Sequence, residues 1–146
     1  MADGTEVATT QVVTPMIAYE DAAAAIDWLC RAFGFTERMR MEDASGTVTH
    51  AELELNGGVV MLAQPTTEYR SPARHAEECD QARRWLSVPF VIDGAHLLVP
   101  DVDAHFQRAK TEGATILSEP EDQPYGERTY RAADLEGHRW MFAQTL

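Results

Sequence analysis

Residues 137–144 read GHRWMFAQ, and a related stretch lies 80 residues upstream. Residues 57–64 read GGVVMLAQ, with glycine, methionine, alanine and glutamine at the same places. Val60 and Leu62 are also matched by the apolar Trp140 and Phe142. Similarity at a fixed offset indicates an internal repeat, so the chain is predicted to contain one structural unit twice.

The same offset relates two predicted helices. Asp21 is a good N-cap for a helix over residues 22–33, and Gly34 ends it. Asp101 or Asp103 caps a second helix through Lys110. These helices begin at equivalent positions in the two halves, which supports the repeat.

Short stretches rich in β-forming residues, bounded by turn residues, complete each half. Alternation is clearest over residues 47–55, and Asn56-Gly57 is a strong hairpin signal. The predicted strands are 11–20, 36–42, 47–55 and 58–64 in the first half, and 91–100, 115–119, 127–133 and 138–145 in the second. Each half therefore reads β-α-β-β-β.

These patterns divide one structural domain into four segments. We expect a flexible N-terminal tail over residues 1–10 and a first module over 11–64. A connector over 65–90 carries a helix of its own at 73–86, and the second module covers 91–146.

Composition restricts the classes of partner. The net charge of −12 argues against nucleic acid or an anionic membrane surface, because both attract basic proteins. No apolar run is long enough for a membrane span, and Cys30 and Cys79 lack the spacing of a disulfide framework. We therefore expect a cytoplasmic protein.

The doubled unit resembles the vicinal oxygen chelate superfamily, which includes glyoxalase I, bleomycin-resistance proteins and extradiol dioxygenases. The resemblance covers residues 12–145 and is carried by four motifs: AFGF at 32–35, HAEL at 50–53, DVDAHF at 101–106 and DLEGHRWMF at 134–142. It implies an α+β, glyoxalase-like fold in which two tandem modules form a curved mixed sheet around a shared cavity. Members are isomerases, dioxygenases, transferases or binding proteins and are often dimers, so a homodimer is expected.

The resemblance also places the family's metal ligands on the first and last strand of each module. The corresponding positions are Thr14, Met61, Gly94 and Met141. Divalent ions bind imidazole and carboxylate at such sites, whereas thioethers are soft ligands suited to copper(I). We therefore expect neither the usual metal nor another cofactor.

Strand alternation predicts the residues that line the cavity. Ala51, Leu53 and Leu55 should face the helix, which turns His50 and Glu52 inward. If the positions that the resemblance assigns to metal ligands point inward, alternation along the same strands adds Met16, His96 and Arg139. Applying the offset of 80 to the inward positions of the strand over 47–55 adds Arg128 and Tyr130. The remaining predicted ligand-binding residues are therefore Thr14, Met16, Met61, His96, Arg128, Tyr130, Arg139 and Met141.

Three roles are open for His50 and Glu52: a structural polar pair, ligand recognition, or acid/base catalysis as the candidate catalytic residues. The preferred interpretation is a protein that binds a small, partly apolar molecule in the cavity without the usual divalent metal. The alternative is a lyase, isomerase or dioxygenase that uses acid/base chemistry or a non-standard metal site of His50, Glu52 and His96.

Overall fold

The computed structural model describes residues 11–88 and 93–146. The predicted tail, residues 1–10, lies outside the described residues. So do residues 89–92, which cover the end of the predicted connector and the start of the strand predicted over 91–100. The elements in chain order are β1 (Met16–Ala18), α1 (Ala22–Phe33), β2 (Thr36–Glu42), β3 (Val48–Leu55), β4 (Gly58–Ala63), α2 (Pro72–Glu78), α3 (Asp80–Trp85), β5 (Gly94–Leu98), α4 (Val102–Thr111), β6 (Thr115–Asp122), β7 (Glu127–Ala133) and β8 (Arg139–Thr145).

The strands form two four-stranded mixed sheets with the same topology. The first has the order β1-β4-β3-β2 and the second β5-β8-β7-β6. The first strand of each module runs parallel to the last, and the other pairs are antiparallel. The predicted α+β fold of two β-α-β-β-β modules is confirmed.

The N-caps of the two long helices follow the repeat. Asp21 Oδ1 accepts a hydrogen bond from Ala24 N at 3.0 Å, and Asp101 Oδ1 accepts one from Ala104 N at 3.0 Å. Each bond satisfies a backbone N–H that has no partner inside its helix. Of the two caps predicted for α4, the structure therefore selects Asp101 rather than Asp103.

The first strand is shorter than the predicted 11–20, because only Met16–Ala18 pairs as a strand. Pro15 has no backbone N–H to contribute to a ladder. Upstream, the Gln11 side chain takes the place of strand pairing: its Nε2 donates to Val59 O and its Oε1 accepts from Val59 N, both at 2.9 Å.

The connector contains two short helices rather than the single helix predicted over residues 73–86. Ser71 Oγ caps α2 by accepting from Arg74 N at 3.3 Å. Cys79 then has φ −143°, which is extended backbone and separates α2 from α3. The chain thereby turns between the helices instead of continuing one.

The two modules share one hydrophobic core. Helix α1 of the first module packs on the last strand of the second, where the Phe33 ring lies 5.7 Å from Trp140 and 4.8 Å from Phe142 between centroids. Both helices cover the same face of their sheets, which leaves the other face of each sheet outside this core.

A buried carboxylate ties the β7–β8 turn to the first module. Asp134 Oδ2 accepts from Tyr19 Oη at 2.6 Å and from Trp140 Nε1 at 3.0 Å. Burial and the neighbouring Asp134 raise the pKa of Tyr19 well above its usual value, so the phenol keeps the proton that it donates.

None of the described helices has the length and apolar character needed to cross a membrane.

Candidate functional site

The face of the first sheet away from the helices forms a trough, here called the first trough. On β4, Val60 and Leu62 are buried toward the helices, so the side chain of Met61 between them lies on the trough face. Met61 pairs with Met16 on β1 and with Glu52 on β3. Cross-strand partners share a face, so all three line the trough.

Strand β2 adds two methionines that the sequence analysis did not assign to the site. Met39 pairs with Glu52, and Met41 pairs with His50. The exposed fractions are 79% for Met16, 38% for Met39 and 54% for Met41. Residues 36–42 read TERMRME, and the alternation of Met39 and Met41 in this strand is the sequence signal that could have placed both on one face.

His50 and Glu52 are brought together on the trough face, as predicted from the alternation of β3. His50 Nε2 lies 3.5 Å from Glu52 Oε2, and both side chains are half-buried. A pair at this distance can hold a ligand group by hydrogen bonding, or pass a proton between imidazole and carboxylate.

A hollow of about 170 Å³ lies between β1, β3 and β4 in the first trough. Ala18 and Ala63 are register partners and form its small-residue floor. Met16, Met61 and His50 supply the larger side chains around it. The hollow therefore combines two thioethers and one imidazole above an alanine floor.

The corresponding face of the second sheet, the second trough, is built on Met141. His96 on β5 and Arg131 on β7 are its register partners. His96 Nε2 lies 3.3 Å from Glu127 Oε1, which gives this trough a His/Glu pair of its own. Met141 and His96 thus lie on the predicted face, while Arg131 was missed.

The predicted inward orientation of Tyr130 and Arg128 is wrong. Tyr130 is fully buried on the helix side, where its ring packs edge-on against Phe106. Arg128 Nε donates to Asp103 Oδ1 of α4 at 3.0 Å. The β7–β8 hairpin has one more residue between Arg131 and its partner Met141 than the β3–β4 hairpin has between Glu52 and its partner Met61. The offset of 80 is therefore wrong by one residue on β7, and a one-residue shift reverses the face of every side chain of a strand.

Arg139 lies on the trough face of β8 but its guanidinium is directed to the connector. Nη1 donates to Val88 O at 2.7 Å and Nη2 to Leu86 O at 2.5 Å. Its side chain is only 6% exposed, and burial lowers the pKa of the guanidinium. Arg139 thus holds the connector to the edge of the second trough rather than pointing into open space.

Thr14 lies just before β1, where its Oγ1 accepts from Gln11 Nε2 at 3.2 Å. It is one of the four positions that the resemblance assigns to metal ligands, together with Met61, Gly94 and Met141. A hydroxyl, a glycine and two thioethers do not fit a divalent ion that needs imidazole and carboxylate.

The alternative metal site of His50, Glu52 and His96 is not assembled. Within residues 11–88 and 93–146, no group of three His, Cys, Asp or Glu side chains is placed to hold a metal ion. His50 and Glu52 lie in the first trough, whereas His96 pairs with Glu127 in the second. The proposed three-ligand set is therefore wrong for this chain.

Comparison with known proteins agrees with this architecture. An uncharacterised protein of Mycobacterium bovis is 36% identical over 134 residues, which are 92% of this chain and 83% of that protein. The crystal structure of TioX from Micromonospora sp. ML1 is similar with a TM-score of 0.68 and 34% identity, over 93% of this chain and 99% of that one.

A more distant structure shares the fold alone. The fosfomycin resistance protein FosX of Listeria monocytogenes has a TM-score of 0.61 and 11% identity, over 94% of each chain. The family model described as Glyoxalase/Bleomycin resistance protein/Dioxygenase superfamily matches residues 11–142. With its two β-α-β-β-β modules and this match over most of its length, the chain belongs to the glyoxalase/bleomycin resistance protein/dioxygenase superfamily.

Proposed function

We propose that this protein binds a small, partly apolar molecule in the first trough and needs no divalent metal to do so. The observation that carries the proposal is the shared face of Met16, Met39, Met41 and Met61 beside the His50–Glu52 pair. Methionine side chains are flexible and polarisable, so they adapt to irregular apolar ligands. The polar pair supplies the few directed contacts that orient a ligand.

The binding form is proposed to be a homodimer. Val12, Val13, Met16 and Leu98 are large apolar residues left exposed on and beside the first strand of each module. Covering them against a second copy would remove apolar surface from water and enclose the methionine face. Analytical ultracentrifugation should give twice the chain mass, and Met16→Asp together with Val13→Asp should give the monomer. A monomeric wild-type protein would refute the dimer.

We also propose that the protein is cytoplasmic. Cys30 and Cys79 are both free thiols in the structure, which suits a reducing compartment.

Ligand binding is tested by thermal unfolding against a panel of small aromatic and alicyclic amines, acids and alcohols, with EDTA present throughout. A ligand at 100 times its Kd stabilises the folded protein by about 2.7 kcal/mol, which raises Tm by several degrees. Met61→Asp should abolish the rise because it places a charge on the apolar face. Ser118→Asp, on β6 of the second trough, is the matched control and should keep the rise.

Two results would overturn the binding proposal. One is a rise in Tm that appears only when a divalent metal is supplied. The other is a rise that Met61→Asp leaves intact while Ser118→Asp removes it, because binding would then belong to the second trough.

Acid/base catalysis on the bound molecule is the second candidate function. The 3.5 Å approach of His50 Nε2 to Glu52 Oε2 favours it, since this pair can accept and return a proton. A ligand identified by thermal unfolding should then exchange a proton for deuterium or change its NMR spectrum during incubation. Glu52→Gln should stop that reaction while the rise in Tm persists. An unchanged ligand spectrum with the wild-type protein would leave binding as the function.

A further inference from the structure

The hollow in the first trough is lined by donor atoms of the kind that bind soft metal ions. Its lining includes the thioethers of Met16 and Met61 and the imidazole of His50, above Ala18 and Ala63. Thioether sulfur binds copper(I) well and divalent zinc, nickel or manganese poorly, and imidazole binds copper as well. These donors come from three adjacent strands and line the same hollow.

The register places the three donors on one sheet face, with Met61 on the strand between the other two. Met16 and Met61 are direct partners on β1 and β4. His50 lies two residues from Glu52, the β3 partner of Met61, and is therefore a diagonal neighbour of Met61. Diagonal neighbours on one sheet face are about 7–8 Å apart at Cα, which long side chains can span.

We propose that the protein binds one copper(I) ion through Met16 Sδ, Met61 Sδ and the His50 imidazole. Glu52 Oε2 lies 3.5 Å from His50 Nε2, which holds that side of the ring and leaves Nδ1 for the ion. The carboxylate also brings a negative charge next to a site for a monovalent cation. The net charge of −12 favours cation binding further.

The repeat contains an internal comparison that supports this assignment. In the second trough Met141 corresponds to Met61 and His96 to Met16, but Thr129 corresponds to His50. Ala143, the counterpart of Ala63, is fully buried, and Gln123 Nε2 donates to Thr129 Oγ1 at 3.1 Å. The space that is open in the first trough is therefore filled in the second, and the third donor is missing.

This inference uses the same trough as the proposed ligand site but does not rest on it. The copper test uses the metal alone, whereas the ligand test is done with chelator present. Either can fail while the other succeeds.

Copper(I) affinity is measured anaerobically with ascorbate by competition against the chromogenic chelator bicinchoninate. Cys30→Ala and Cys79→Ala are introduced first, because free thiols bind copper(I) themselves. If this double variant does not fold, the measurement uses protein whose cysteines are blocked with N-ethylmaleimide. We expect one equivalent of copper(I) per chain. Met16→Leu, Met61→Leu and His50→Ala should each weaken binding by about tenfold or more.

The matched controls are Met39→Leu, on the same face but outside the hollow, and Met141→Leu in the second trough. Both should change the affinity less than about twofold. Leucine is close to methionine in volume, so these substitutions preserve the fold. Silver(I), which undergoes no redox chemistry here, provides a second readout: the ε-methyl NMR signals of Met16 and Met61 should shift together on addition of one equivalent.

Three results would overturn the proposal. Copper(I) could remain entirely with bicinchoninate. The affinity could be unchanged by Met16→Leu and Met61→Leu, which would identify adventitious binding. Alternatively, silver(I) could shift the methyl signal of Met141 while leaving those of Met16 and Met61 in place.

Discussion

Gln64 and Gln144 make the same hydrogen bond in the two modules. Gln64 Oε1 accepts from Ala22 N at 3.0 Å, and Gln144 Oε1 accepts from Val102 N at 2.8 Å. Both donors are the backbone N–H groups of the first residue of a long helix, which have no partner within the helix. The glutamine that ends each copy of the repeat therefore joins the last strand of a module to its helix.

Replacing either glutamine should destabilise the fold by a similar amount. Gln64→Leu or Gln144→Leu leaves one helix N–H without its acceptor, which costs about 1–3 kcal/mol. Urea unfolding measures the change in the free energy of unfolding. Gln107→Leu, on the exposed side of α4, should change it by less than about 0.5 kcal/mol. An unaltered stability in both variants would show that water replaces the side chain without loss.

Gly137→Ala should be much more destabilising than Gly126→Ala. Both glycines have positive φ, +90° and +91°, so alanine is strained at either position. At Gly137 a Cβ would also lie 2.7 Å from Ala73 N, whereas at Gly126 it meets nothing within 4 Å. We expect a loss of about 1–2 kcal/mol for Gly126→Ala from backbone strain alone, and a clearly larger loss for Gly137→Ala. Equal losses would mean that α2 moves away at no cost.

His105 should make the fold less stable as the pH falls below about 6.5. Its Nδ1 accepts from Tyr130 Oη at 2.6 Å and its Nε2 donates to Phe33 O at 2.7 Å. Burial lowers the pKa of this imidazole in the folded protein. Between the pKa of His105 in the folded protein and its pKa in the unfolded chain, the unfolded chain therefore binds more protons than the folded protein. The free energy of unfolding rises with pH across that window.

The measurement is urea unfolding from pH 5 to pH 7.5 for the wild type and for His105→Gln. The variant should lose stability at pH 7.5 but show a shallower dependence on pH. His75→Gln, exposed on α2, should keep the wild-type dependence. Identical pH dependence in the wild type and His105→Gln would contradict the assignment.

Arg139→Leu should release the end of the connector while leaving both sheets intact. The guanidinium holds the carbonyls of Leu86 and Val88, and leucine cannot donate to either. Amide hydrogen exchange should become faster over residues 82–88, since opening there needs less free energy. Arg84→Leu, exposed on α3, is the control and should leave this exchange close to that of the wild type. Equal protection in Arg139→Leu would show that the connector is held by its other contacts.

Much of the site could be predicted because β-strands alternate strictly. The face of His50 and Glu52 followed from the buried Ala51 and Leu53, and the structure has all four as expected. The same reasoning failed for Tyr130, because the offset of 80 was extended across a hairpin that contains one more residue. Met39 and Met41 were missed for another reason: β2 is exposed along its length, so no buried partner residues marked its faces.

The sequence by itself determined the duplicated β-α-β-β-β fold, the start of the first long helix at Asp21, and which side chains stand at the four positions where the resemblance places metal ligands. These follow from local chemistry: periodicity, capping and the identity of side chains at equivalent positions. Only the tertiary structure decided which face Tyr130 occupies, that Arg139 is held by the connector, and that four methionines share one sheet face with His50 and Glu52. Those features depend on strand register and on contacts between residues far apart in the chain, where a shift of one residue reverses the outcome.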